Sequence, residues 1–154
     1  MNAHSPPQSG STPDAGTEYD PSPLDVLLLV FRVQGQLATL LAAESRPFHL
    51  TPTEALALIT LARDSSPVSG IARAVGIRPN GASVLVDRLR ERRLVRRQRS
   101  RRDNRVVTVD LTDAGRELAQ TLTVKAADRL RFALAGFSPD ERAQLTTMLN
   151  ELAG

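Results

Sequence analysis

The sequence predicts a mainly α fold (α+β) in the order α-α-α-α-β-β-α-α. Three observations carry that expectation. Helix-capping signatures recur ahead of apolar residues at helical spacing. Two short runs, Leu94–Gln98 and Val106–Leu111, read as strands, the second alternating with period two. A chain of 154 residues suits one domain with a tail and is long enough to bury a core.

Residues 2–23 contain no Leu, Ile, Val, Phe or Met but hold five of the ten prolines. So little apolar surface cannot offset the entropy of ordering the chain, so residues 1–22 are expected to form a disordered tail. Order begins at Ser22-Pro23-Leu24-Asp25, a cap, an N1 proline and a first-turn acid. Eight of the ten residues from Leu24 to Val33 are large and apolar. A helix apolar all round must be enclosed, and a terminal helix of so small a domain needs a second chain to do it. Its longest unbroken apolar run, Val26–Phe31, has six residues, too few to span a membrane, so no membrane partner is expected.

Thr51-Pro52-Thr53-Glu54 is a capping box for the second helix, with Ala55, Leu56, Leu58, Ile59 and Ala62 as its apolar residues. A third runs from about Ser69 to Val75 and stops at Gly76. The fourth opens at Pro79, reaches about Arg92, and buries Ala82, Leu85, Val86 and Leu89. After the hairpin, Thr112-Asp113 starts a long helix marked by Leu118, Leu122, Leu130 and Leu134. Ser138-Pro139-Asp140-Glu141 opens the last, with Leu145, Met148, Leu149 and Leu152 on one face.

The formal net charge of +3 conceals a sharp division. Residues 73–105 carry twelve arginines against Asp87, Glu91 and Asp103, a balance of +9, and the rest of the chain is −6. Three acids cannot pair twelve arginines, so an anionic partner is implied. The chain has no cysteine, which excludes disulfides, thiol catalysis, cysteine switches and thiolate metal sites. With only His4 and His49, no phosphate-loop motif and no histidine cluster, no enzyme, metal or cofactor is expected.

The third and fourth helices read as a helix-turn-helix, with Ala72 and Gly76 giving room where they meet and Ile71, Val75, Ile77, Ala82 and Leu85 as glue. The fourth helix then presents Asn80, Gly81, Ser83, Val84, Asp87 and Arg88 outward, with Arg78 just before it. In a major groove, Asn80 suits adenine, Arg78 or Arg88 guanine, and Val84 a thymine methyl. A glycine such as Gly81 inside a helix costs about 1 kcal/mol relative to alanine, tolerable where a backbone must approach another surface. Arg73 on the third helix and Arg99, Arg101, Arg102 and Arg105 in the hairpin loop complete the basic surface, the loop arginines suiting a narrow minor groove. Asp103 either shapes the turn with Asn104 or holds a loop arginine in its docking rotamer.

These stretches resemble the MarR family of winged helix-turn-helix transcription regulators. Leu50–Glu54, Gly70–Ile77, Val86–Leu89 and Asp103–Gly115 carry the likeness, the last through Asp-x-Arg followed by a strand and Leu-Thr-x-x-Gly. The resemblance spans roughly residues 24 to 152. It implies a winged helix-turn-helix at 51–112 flanked by dimerisation helices at 23–50 and 113–154. A cytoplasmic homodimer would place the recognition helix, about 79–92, in the major groove and the wing, 99–105, in the minor groove of a pseudo-palindromic operator, as a repressor released by a small organic effector. Relatives hold effectors between the dimerisation helices and the winged domain, which makes Phe31, Arg46 and His49 the candidates here, beside Phe48. Phe31 and Phe48 also suit the core, and His49 a loop–helix junction.

The chain departs from the family pattern at three places. Val84 stands where many members have a basic or polar residue, and Arg78 where a small hydroxyl is common. Arg93 replaces the glycine before the Leu-Val of the first strand, so either the helix end is stretched or Arg93 adds a phosphate contact. The alternative function is a winged-helix module for protein partners, which would show apolar groups on the face where this chain is basic. RNA binding is disfavoured because no aromatic lies between Phe48 and Phe132 for bases to stack on.

Overall fold

A computed structural model describes residues 22–99 and 106–153. The helices are α1 (Pro23–Ser45), α2 (Pro52–Leu61), α3 (Val68–Val75), α4 (Pro79–Glu91), α5 (Asp113–Ala133) and α6 (Pro139–Ala153). Strands β1 (Val95–Arg99) and β2 (Val107–Leu111) lie between α4 and α5, and a single 3₁₀ turn, Arg46–Phe48, follows α1. The element order is the expected one. The expected tail, Ser22 apart, and the wing tip at 100–105 lie outside the described residues.

The chain divides into two compact units, Met1–Val33 and Gln34–Gly154. In the first, the described residues are Ser22 and the N-terminal half of α1. Ser22 caps α1: its hydroxyl accepts from Asp25 N–H at 3.2 Å, and Asp25 accepts from Ser22 N–H at 3.1 Å. Leu24, Leu27, Leu28, Leu29 and Phe31 are all exposed, Phe31 at 63%. Phe31 is therefore not a core residue of this chain.

Pro23–Phe48 is long and apolar enough to cross a membrane by length and composition, with a mean hydropathy of 1.7 over an 18-residue window. This differs from the expectation based on the six-residue run, because Arg32 interrupts the apolar residues without ending the helix. Within the second unit, charge joins the C-terminal end of α1 to α5. Glu44 is buried and accepts from Arg129 Nε at 3.0 Å, with Lys125 Nζ at 3.6 Å.

The second unit is built around one apolar cluster. Ala55, Leu58 and Leu61 from α2, Ile71 from α3, Leu85, Val86 and Leu89 from α4, Val109 and Leu111 from β2, and Ala119 and Leu122 from α5 meet in it. Leu56 and Ala62, expected among the apolar residues of α2, are exposed, and Ala57 and Leu61 are buried instead. Thr51 and Glu54 form the capping box of α2, with bonds of 2.8 and 3.2 Å. Ser138 and Glu141 do the same for α6, and the Ser138 backbone N–H holds the Glu141 carboxyl below its usual range. Only the N-terminal half of α5 is core; Val124 and Phe132 are exposed, as are Met148, Leu149 and Leu152 of α6.

β1 and β2 pair antiparallel, Val95 opposite Leu111 and Arg99 opposite Val107. Val109 and Leu111 face the core as the alternation predicts, whereas Val107 on the same face is 54% exposed. Thr108 on the opposite face is buried. Ser66 pairs with Val109 through backbone bonds of 2.8 and 3.1 Å, which sets the α2–α3 connection along the free edge of β2. Beside it, Arg63, Ser65, Thr108, Asp110 and Arg116 help line a polar hollow of about 610 Å³.

Candidate nucleic-acid interface

The helix-turn-helix forms as its residues require, with one change of reason. Ala72 is buried where α3 meets α4, as expected. Gly76 is not there for space, since a Cβ would meet nothing within 4 Å; its φ of +69° is what calls for glycine. Its N–H closes α3 onto Arg73 O, and Ile77 N–H bonds Ala72 O at 3.0 Å. Gly81 has only Ile77 Cδ1 near a built Cβ, at 3.8 Å, so its own chain leaves it open.

Pro79 opens α4 after Arg78 in extended conformation, with no side-chain cap. The expected inward stripe, Ala82, Leu85, Val86 and Leu89, is buried. Asn80, Gly81, Val84 and Arg88 are exposed, while Ser83 and Asp87 are half-buried. Asn80, Val84 and Arg88 follow at i, i+4 and i+8, which sets three different chemistries in one row about 12 Å long. Ser83 donates its hydroxyl to Pro79 O at 3.3 Å, so its hydrogen serves the helix. Arg73 on α3 and Arg99 at the end of β1 are also exposed. Arg101, Arg102, Asp103 and Arg105 lie outside the described residues.

Several arginines of the basic segment have partners within the chain. Asp87 accepts from Arg97 at 3.3 Å and pairs with Arg90 at 3.5 Å, joining α4 to β1. Arg96 and Gln98 reach Asp110 across the hairpin at 3.4 and 3.2 Å. Arg92, at the end of α4, turns to the chain that follows α1 and donates to His49 O at 2.9 Å and Phe48 O at 2.7 Å. Charge composition alone does not reveal these pairings. The three-residue spacing of Asp87 and Arg90 was the one local signal available.

α4 ends in a reversal centred on Arg93. Arg93 has φ +58°, its N–H bonds Arg90 O at 2.8 Å, and Leu94 N–H bonds Leu89 O at 2.9 Å. This is the hydrogen-bond pattern of a Schellman motif with arginine in the glycine position, so the helix end is closed and not stretched. A left-handed conformation costs an L-residue about 1–2 kcal/mol, against about 0.5–1 kcal/mol for glycine's extra chain entropy. Arg93→Gly is therefore expected to raise stability by about 0.5–1 kcal/mol, read as a higher urea midpoint at unchanged slope.

The winged helix-turn-helix has counterparts among known proteins. Residues 49–105 match the model of the MarR family. The chain is 33% identical over 67 residues, 43% of each chain, to the HTH-type transcriptional repressor MdtR of Bacillus subtilis (strain 168). Its fold matches a MarR-family transcriptional regulator from Silicibacter pomeroyi with a TM-score of 0.72 and 26% identity, over 82% of this chain and 86% of that one.

The fold also matches CouR from Rhodococcus jostii RHA1 bound to p-coumaroyl-CoA, with a TM-score of 0.76 at 24% identity, covering 84% of this chain and 92% of that one. The chain spans about half the length of the curated relatives it matches. The three effector candidates have different settings. Phe31 lies in the first unit, and Arg46 and His49 are exposed residues of the second. Phe48 packs against the core. His49 ends the 3₁₀ turn with φ +53°, its N–H on Arg46 O at 3.0 Å, which is the loop–helix junction the sequence suggested.

Proposed function

We propose that this MarR-type chain is a dimeric, sequence-specific DNA-binding regulator that acts as a repressor. The observation that carries this reading is the exposed row Asn80, Val84 and Arg88 on α4, flanked by exposed Arg73, Arg78 and Arg99. An amide, a methyl-bearing side chain and a guanidinium are the chemistries that distinguish base edges in a major groove, and the surrounding arginines suit phosphates. In this reading Arg101, Arg102, Asp103 and Arg105 serve the flanking minor groove.

Residues 23–50 and 113–154 serve dimerisation in this reading. The exposed apolar residues of α1, and those of α6, are covered by a second copy of the chain. A two-fold dimer sets two α4 helices one helical turn of DNA apart, about 10 bp between half-site centres. A small organic effector weakens the grip, with Phe31, Arg46 and His49 as candidate contacts, in a fold that in CouR is found with p-coumaroyl-CoA.

The experiment is selection of duplexes from a random-sequence pool by the full chain, followed by fluorescence-anisotropy titration of the selected duplex. A pseudo-palindrome bound at one dimer per duplex is the expected result. If the dimer neutralises about 6–10 phosphates, affinity falls by about 10³–10⁵ between 50 and 200 mM salt. Arg101→Ala with Arg102→Ala weakens binding and flattens the salt dependence while leaving the thermal midpoint unchanged. Failure to enrich any sequence overturns the reading, and wild-type affinity in the double variant removes the wing from it.

A further inference from the structure

The geometry points to Arg92 as a positioning residue, which sets the seat of α4 by gripping the main chain of the turn that follows α1. This rests on the DNA-binding reading for its functional consequence, though not for the grip itself. Arg92 belongs to the +9 segment, and charge alone assigns it to a phosphate. Its guanidinium instead donates from both terminal nitrogens to two consecutive carbonyls, His49 O at 2.9 Å and Phe48 O at 2.7 Å, more than forty residues away in sequence. A planar fork on two adjacent acceptors fixes direction as well as distance.

Both ends of this tie are held firmly. On one side His49 is left-handed and closed on Arg46 O, and Leu50 N–H reaches back to Ser45 O at 3.3 Å. On the other, Arg93 is left-handed and Leu94 N–H closes on Leu89 O. Arg92 thus joins two chain reversals, one ending α4 and the other leading into α2. The rest of α4 is seated by the apolar stripe through Leu85, Val86 and Leu89, which is non-directional, and by the solvent-facing Asp87–Arg97 pair to β1. The two hydrogen bonds supply the direction that brings Asn80, Val84 and Arg88 to base edges together.

A positioning arginine and a phosphate-binding arginine differ in what their loss does. Loss of a phosphate contact weakens binding to every duplex and lowers the salt slope by about 0.9 per contact, about 1.8 for a dimer. Loss of a positioning residue weakens only sequence-specific binding. The experiment titrates wild type, Arg92→Gln and Arg92→Lys, as full chains, against the selected duplex and a scrambled one of equal length over a salt series. Hydrogen exchange of amides 48–51 and 90–94 is followed without DNA.

Arg92→Gln is expected to lose about ten-fold or more on the selected duplex, the equivalent of one charge-assisted hydrogen bond. Its affinity for the scrambled duplex and its salt slope should match wild type, and Arg92→Lys should recover part of the loss. Amides at both reversals should exchange faster in Arg92→Gln. Equal losses on both duplexes with a lower slope, or no loss on either, overturn the proposal. If Arg92→Gln does not fold, Arg92→Lys decides by the same comparison. If the wild type selects no sequence, DNA binding fails on its own, and unchanged exchange in the variant then overturns the grip.

Discussion

Gly115→Ala is expected to destabilise the chain by about 1–2 kcal/mol, opposite in sign to what helix propensity alone would give. Glycine inside a helix costs about 1 kcal/mol relative to alanine, so on an ordinary helix the change would stabilise. Here a Cβ at position 115 would collide with the Leu94 carbonyl oxygen, which is backbone and cannot rotate away. That oxygen already accepts from Thr112 N–H at 3.0 Å, and the Thr112 hydroxyl, which donates to Arg93 O at 2.7 Å, accepts Gly115 N–H at 3.1 Å. Admitting the methyl group means separating the start of α5 from the start of β1, and Leu94 also closes the end of α4. Overpacking of this kind costs about 1–3 kcal/mol and prevails over propensity. Equilibrium urea unfolding measures it; an unchanged or raised midpoint would show that the junction opens at little cost.

Combining Asn80→Ala with Arg88→Ala is expected to remove nearly all sequence preference while leaving the fold intact. Both side chains are exposed on α4, so no core contact is lost. A good bidentate base contact is worth about 1–3 kcal/mol of discrimination, and a two-fold dimer loses four. The ratio of affinities for selected and scrambled duplexes should fall by about 10³-fold or more, with salt-dependent binding to both persisting. A ratio that survives the double change would move base reading off this row, with Arg78 the next residue to replace.

The sequence made the elements legible because each boundary has a local cause. Thr51 with Glu54, Ser138 with Glu141, and Ser22 with Asp25 are caps whose partners lie three residues apart, and all three form. The buried stripe of α4 was legible through its spacing alone. Relations between distant segments were not. Nothing local to Arg92 specifies Phe48 and His49 as its partners, and nothing local to Val109 shows that Ser66 pairs along its edge. Gly76 shows a correct residue with the wrong reason: spacing suggested close packing, and φ supplied the need. Arg93 shows the reverse, since the missing glycine was noticed from sequence but only the backbone reveals that arginine adopts glycine's conformation.

Main-chain oxygens as the acceptors for Arg92 have a consequence for how such a chain can diverge. A guanidinium that grips carbonyls senses the path of the backbone and is indifferent to the side chains along it. Position 49 can exchange its side chain for any that tolerates a left-handed φ, asparagine or glycine among them, and the tie to α4 survives. An insertion between Ser45 and Leu50 would break it while leaving every side chain in place. Along this turn, selection is free to alter chemistry and is constrained in length.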